Sequence, residues 1–180
     1  MGKVTLITGG ARSGKSRFGL TLGQEYSRPV FLATAEVTDA EMALRIDKHR
    51  HERGDLYTTV EEPLDPARIL ELSDSQVDFV LIDCLTVWLG NLMHHLGQGA
   101  WPYREMQRLL KILEHPPCDV ALVSNELGMG LVPENEMGRW FRDVAGRLNQ
   151  DVAIRATEVV FMVSGCPVWV KKPVERTTKD

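Results

Sequence analysis

The sequence predicts an α/β domain built on a mostly parallel sheet with helices on both faces. Three observations point there: short apolar, β-branched runs recur along the chain, segments of helical period separate them, and a glycine-rich turn stands directly behind the first run. The runs are Val4–Ile7, Val30–Ala33, Phe79–Ile82, Val120–Val123 and Val159–Val163. Each is apolar at successive positions, the pattern of strands covered on both sides.

Val4–Ile7 is the first strand, and Gly9-Gly10-Ala11-Arg12-Ser13-Gly14-Lys15-Ser16 follows it. This run satisfies G-x-x-x-x-G-K-[ST] in full and leads into a helical segment, the context a phosphate-binding loop requires. The glycines let the backbone curl so that successive N–H groups face phosphate oxygens. Lys15 supplies a charge to the β and γ phosphates, and Ser16 supplies a ligand for Mg²⁺. Gly9 to Ser16 are therefore nucleotide-binding candidates, and a glycine-rich turn that binds nothing is disfavoured by the match of both motif and context. After the second strand, Thr38 and Glu41 fit a capping box, and Met42, Ile46 and His49 share one face of a helix running to about Arg53. Spacing alone leaves His49 open between a packed core residue and a nucleophile. Tyr57–Val60 reads as a short strand, and Pro63 opens a further helical stretch. Asp83, at the end of Phe79–Ile82, stands where a P-loop protein needs a carboxylate to hold Mg²⁺ through its water shell; capping of the next helix is the alternative. Trp101–Glu114 reads as an amphipathic helix, and the polar tail Lys171–Asp180 is expected to fray.

The length of 180 residues suits one domain spanning 1–180. With 21 Lys+Arg against 25 Asp+Glu the net charge is −4, which excludes a nonspecific nucleic-acid binder, and 43 % apolar residues exclude intrinsic disorder. No apolar run approaches the ~18 residues of a spanning helix, and the first strand is too short for a signal segment, so a cytoplasmic protein without a membrane span is expected. Cys84, Cys118 and Cys166 are odd in number and widely spaced, so they read as reduced thiols. His94-His95 and His115 lack zinc-ligand spacing, and the four tryptophans read as core and interface anchors. A switch-type GTPase is excluded, because Asp83 is followed by Cys84-Leu85-Thr86 rather than x-x-Gly and the strand end Ser124-Asn125-Glu126-Leu127 is not N-K-x-D. A transferase acting on a small acceptor fits a compact P-loop domain. A small-molecule kinase without nucleotidyl transfer and an assembly ATPase that drives a partner remain as alternatives.

Four stretches narrow the choice: the P-loop running into Arg17, Leu32-Ala33-Thr34-Ala35-Glu36, Asp39 to Arg50, and above all Ser124-Asn125-Glu126-Leu127-Gly128-Met129-Gly130-Leu131-Val132-Pro133-Glu134-Asn135, with Phe141–Gln150 beyond it. Together they resemble the bifunctional adenosylcobinamide kinase / adenosylcobinamide-phosphate guanylyltransferase family of cobalamin biosynthesis. The resemblance implies a RecA-like P-loop fold, usually a homo-oligomer, that phosphorylates adenosylcobinamide with GTP or ATP and then transfers GMP from GTP to adenosylcobinamide phosphate through a guanylylated histidine. It puts His49 in the place of that histidine. It also has Thr34, Ala35, Glu36, Arg50, His51, Glu52, Arg53, Glu61 and Asp83 line the GTP site. The chain departs from the family's habit at Lys48, Gly54 and Tyr57, where a second His, a Pro and a Trp are frequent.

Overall fold

The computed structural model describes residues 2–36, 56–72, 76–98 and 102–172. Among the described residues seven strands form one sheet: β1 Val4–Gly9, β2 Pro29–Ala33, β3 Thr58–Glu61, β4 Phe79–Asp83, β5 Asp119–Val123, β6 Glu158–Val163 and β7 Cys166–Lys171. Their spatial order is β3-β2-β4-β5-β1-β6-β7; all neighbours run parallel except β6 and β7, which form an antiparallel hairpin. Five helices are described: α1 Lys15–Gly23, α2 Pro66–Leu72, α3 Leu85–Leu96, α4 Arg104–Ile112 and α5 Glu136–Arg155.

Side chains alternate between the two sheet faces, and both faces are dry. Val4, Leu6, Leu32, Val80, Ile82 and Leu122 point to the face covered by α2 to α5, where Trp88, Leu89, Met106, Leu109 and Leu148 complete the larger core. Ile7, Phe31, Leu81, Ala121 and Val160 point to the other face and meet Phe18 and Leu22 of α1. Burial on both sides explains the unbroken apolar runs in the sequence.

The five apolar runs all form strands, the helix expected over Trp101–Glu114 is described as Arg104–Ile112, and three further boundaries differ in detail. The short strand begins at Thr58 instead of Tyr57, because Tyr57 turns inward and donates its hydroxyl proton to Leu20 O at 2.9 Å. The helix expected from Pro63 begins at Pro66; the Glu62 carboxylate accepts from the Leu64 and Asp65 N–H groups, and Asp65 then caps Arg68 N, leaving Pro66 in the first helical position. Lys171, placed at the head of the polar tail, instead ends β7 and pairs with Val159 of β6, and its ammonium donates to Ala153 O and Ile154 O. The capping-box helix over 38–53 lies outside the described residues. No described helix is long and apolar enough to cross a membrane.

Candidate functional site

Parallel pairing brings the carboxyl ends of β1, β2, β4 and β5 to one edge, where α/β sheets bind ligands. In register, Ala33 lies beside Asp83, Asp83 beside Val123, and Val123 beside Ile7. The P-loop leaves β1 at this edge. Gly9 has φ +148 and a side chain there would come within 2.5 Å of Met162 O; Gly14, at φ +96, lies against the β6–β7 turn, with Gly165 Cα 3.2 Å from where a Cβ would stand. That turn has positive φ at both Ser164 and Gly165, as a two-residue hairpin needs, and Gly165 N donates to Ser13 O at 2.9 Å. The hairpin thus braces the loop from behind.

Gly14 opens α1 without a side-chain cap and without an acidic residue in the first turn, so its leading N–H groups face the loop. The Lys15 side chain is buried and curls back, its ammonium donating to Gly10 O and to Ser13 Oγ at 3.4 Å. Burial lowers the Lys15 pKa from its ordinary value, while Cys84 and Asp83 work to raise it. Burial also pushes the Cys84 thiol up to about 12, so it is neutral near pH 7.

Asp83 does not cap the helix that follows it. Cys84 occupies the N-cap of α3, with its sulfur accepting from Val87 N, which removes the capping alternative and leaves the Asp83 carboxylate at the strand tip. Thr34 fixes that tip: its Oγ1 accepts from Cys84 N at 2.8 Å and donates to Cys84 O at 2.9 Å, and its carbonyl accepts from Asn91 Nδ2 at 2.7 Å. Ala35 and Glu36 continue along the edge, where the Glu36 carboxylate meets His95 Nε2 at 3.0 Å. Glu61 ends β3 beside Ala33. The structure therefore gathers the P-loop, Thr34, Ala35, Glu36, Glu61 and Asp83 on one edge, while His49, Arg50, His51, Glu52 and Arg53 lie outside the described residues.

Beyond β5 the chain is tied to both sides of this edge. The buried Ser124 Oγ donates to Asn149 Oδ1 at 2.6 Å, Asn149 Nδ2 donates to Asn125 O at 3.0 Å, and Asn125 N donates to Thr86 Oγ1 at 2.9 Å. Glu126 N then donates to Gly9 O at 3.0 Å. The segment that follows walls a cleft of about 820 Å³ together with the P-loop, the start of α5 and the end of β6. Glu126, Phe141 and Arg142, which line this cleft, were not among the sequence-predicted site residues; the signal for them is the Ser124–Asn135 run itself, standing behind a strand that neighbours β1.

Comparisons with known proteins agree with this geometry. A chain described as an ATPase of the type III secretion system of pathogenic bacteria superposes with a TM-score of 0.55 at 12 % identity, covering 89 % of this chain and 51 % of that one, a likeness of fold. The bifunctional adenosylcobalamin biosynthesis protein CobU of Escherichia coli K12 is 40 % identical over 180 residues, covering 92 % of this chain and 98 % of the relative. The corresponding CobP of Pseudomonas aeruginosa PAO1 is 43 % identical over 170 residues, covering 92 % and 96 %. Since residues 5–170 also match the CobU family, described as cobinamide kinase / cobinamide phosphate guanyltransferase, with the P-loop and the Ser124–Asn135 run inside that span, the chain belongs to this family.

Proposed function

We propose that this chain carries out both reactions for which its family is named. It phosphorylates the hydroxyl of adenosylcobinamide with ATP or GTP, then moves GMP from GTP to the new phosphate through a guanylylated His49. The observation that carries the proposal is a complete P-loop, faced by Asp83, inside a chain that matches the family from residue 5 to 170. In the first step the acceptor oxygen attacks the γ-phosphorus and the bond to the β–γ bridging oxygen breaks, with Lys15 and the loop N–H groups stabilising the charge. In the second, a neutral imidazole nitrogen of His49 attacks the α-phosphorus and pyrophosphate leaves; a phosphate oxygen of the acceptor then displaces the imidazole. Imidazole needs no base to become a nucleophile, whereas the hydroxyl must lose a proton.

Ser16 and Asp83 are hard oxygen donors of the kind Mg²⁺ takes, and they would hold it beside the loop. Bound there, Mg²⁺ neutralises charge on the phosphates. Thr34, Ala35, Glu36 and Glu61, with Arg50, His51, Glu52 and Arg53, complete the proposed GTP wall. A cytoplasmic location and self-association belong to the same proposal; the exposed apolar residues Val168 and Val170 on the edge strand β7 support the latter, and light scattering checks it.

The test is labelling with α-³²P-GTP. The unmodified protein should take up acid-labile, base-stable label, His49→Ala should take up none, and His51→Ala should still be labelled. His49→Ala should keep part of its kinase activity, since phosphoryl transfer to a hydroxyl needs no covalent enzyme intermediate. An unlabelled wild-type protein that still phosphorylates adenosylcobinamide is a kinase alone. Label remaining on folded His49→Ala protein would remove that residue from the mechanism.

A further inference from the structure

The Ser124–Asn135 run has no part in either step as described, yet it forms one wall of the 820 Å³ cleft beside the P-loop. We propose that this cleft receives the hydroxyl-bearing arm of the phosphoryl acceptor and that Glu126 takes the hydroxyl proton during phosphoryl transfer. The proposal rests on the kinase half of the function given above.

Position supports it first. Lys15, the side chain that reaches the terminal phosphates, bonds to Gly10 O and Ser13 Oγ, and both residues line the cleft. The cleft therefore opens where the γ-phosphate would end. Glu126 is fixed at that mouth, because its own N–H is bonded to Gly9 O and the preceding residue is held by Thr86 and Asn149.

The chemistry of the walls supports it next. Most of the lining is apolar, with Leu127, Leu131, Phe141 and Phe161 prominent, which suits a bulky organic acceptor. Glu126 carries the only carboxylate among the described lining residues, and that carboxylate makes no hydrogen bond or ion pair to any described residue. Arg142, the other charged lining group, is 3.5 Å from its neighbour Asp143. Asp83 is a poor alternative base, since it faces Lys15 and is assigned to the metal.

The step balances. The acceptor oxygen forms a bond to the γ-phosphorus, the bond from that phosphorus to the β–γ bridging oxygen breaks, and the nucleoside diphosphate leaves with the electron pair. The hydroxyl proton passes to a Glu126 oxygen and from there to solvent. Because guanylylation of imidazole involves no such proton, Glu126 is needed for the first reaction only.

Steady-state kinase assays with adenosylcobinamide and ATP or GTP, run beside α-³²P-GTP labelling, test this on the full chain. Glu126→Gln should lower the kinase kcat by roughly 10²–10⁴-fold, the usual worth of a general base, with nucleotide KM and protein labelling unchanged; Glu126→Asp should restore part of the rate. Phe141→Ala should raise KM for adenosylcobinamide and leave KM for the nucleotide alone. An unchanged kcat in folded Glu126→Gln protein overturns the role of Glu126. So does a loss of labelling, or a relaxed choice between GTP and ATP, which would make the cleft a nucleobase site. If the unmodified chain fails to phosphorylate adenosylcobinamide at all, the kinase assignment falls and this proposal with it, an outcome distinct from a failure of Glu126 alone.

Discussion

Asp83, at the tip of β4, and Lys15, in the P-loop, interact electrostatically at the edge of the sheet. Burial disfavours the Lys15 charge, so the ammonium depends on the Asp83 carboxylate and, in the complex, on phosphate. Replacing Asp83 with Asn removes the anion while keeping the shape. The Mg²⁺ concentration giving half-maximal rate should then rise several-fold in both reactions, since an amide oxygen holds a hydrated dication less well than a carboxylate. A magnesium titration of each half-reaction checks this, and an unchanged midpoint would remove Asp83 from metal binding. Lys15, Ser16 and Asp83 were legible in the sequence because a motif and a strand end mark them. Glu126 was not, because a single Glu behind a strand has no spacing of its own. Its uncommitted carboxylate emerges only when Gly10, Phe141 and Phe161, far apart in the chain, are brought around it.

At the level of elements, the β6–β7 hairpin acts as a backstop for the P-loop. Gly165 N holds Ser13 O, and the turn stands against Gly14. Gly14→Ala would put a side chain at φ +96 and press it against Gly165 Cα, so a loss of about 1–2 kcal/mol from backbone strain alone is expected. Chemical denaturation measures that loss; nucleotide affinity should fall as well, because the loop and its brace move together. The strands β1, β2, β4, β5 and β6 were readable from their apolar runs. The edge strand β7 was not: all its residues are exposed and Pro167 interrupts it, so it carries neither a two-sided apolar run nor a clean alternation. The polar ties that hold the β5 exit, Thr86, Ser124 and Asn149, were equally hidden, since they come from separate elements and meet only on folding.

For the molecule as a whole, the site is an extension of an interior strand. β1 lies between β5 and β6, and the P-loop is its direct continuation. Nucleotide binding should therefore stabilise the entire sheet, by about 2.7 kcal/mol at a ligand concentration a hundred times Kd. A thermal melt with Mg²⁺ and GTP should show a rise in Tm that Lys15→Ala, which loses a charge-assisted contact worth roughly 1.5–3 kcal/mol, largely abolishes. The α/β class was legible because helical and strand periods alternate along the chain, but the strand order was not, since Val4 pairs with Val120 and Thr5 with Glu158, across most of the sequence. That separation also sets a timetable. During synthesis at about 5–20 residues per second, some 154 residues must be added between Gly9, the end of β1, and Val163, the end of β6, which takes roughly 8–30 s. Throughout that interval the strand that bears the phosphate loop lacks at least one of its two neighbours. Stabilisation by nucleotide is therefore expected only once β6 is in place.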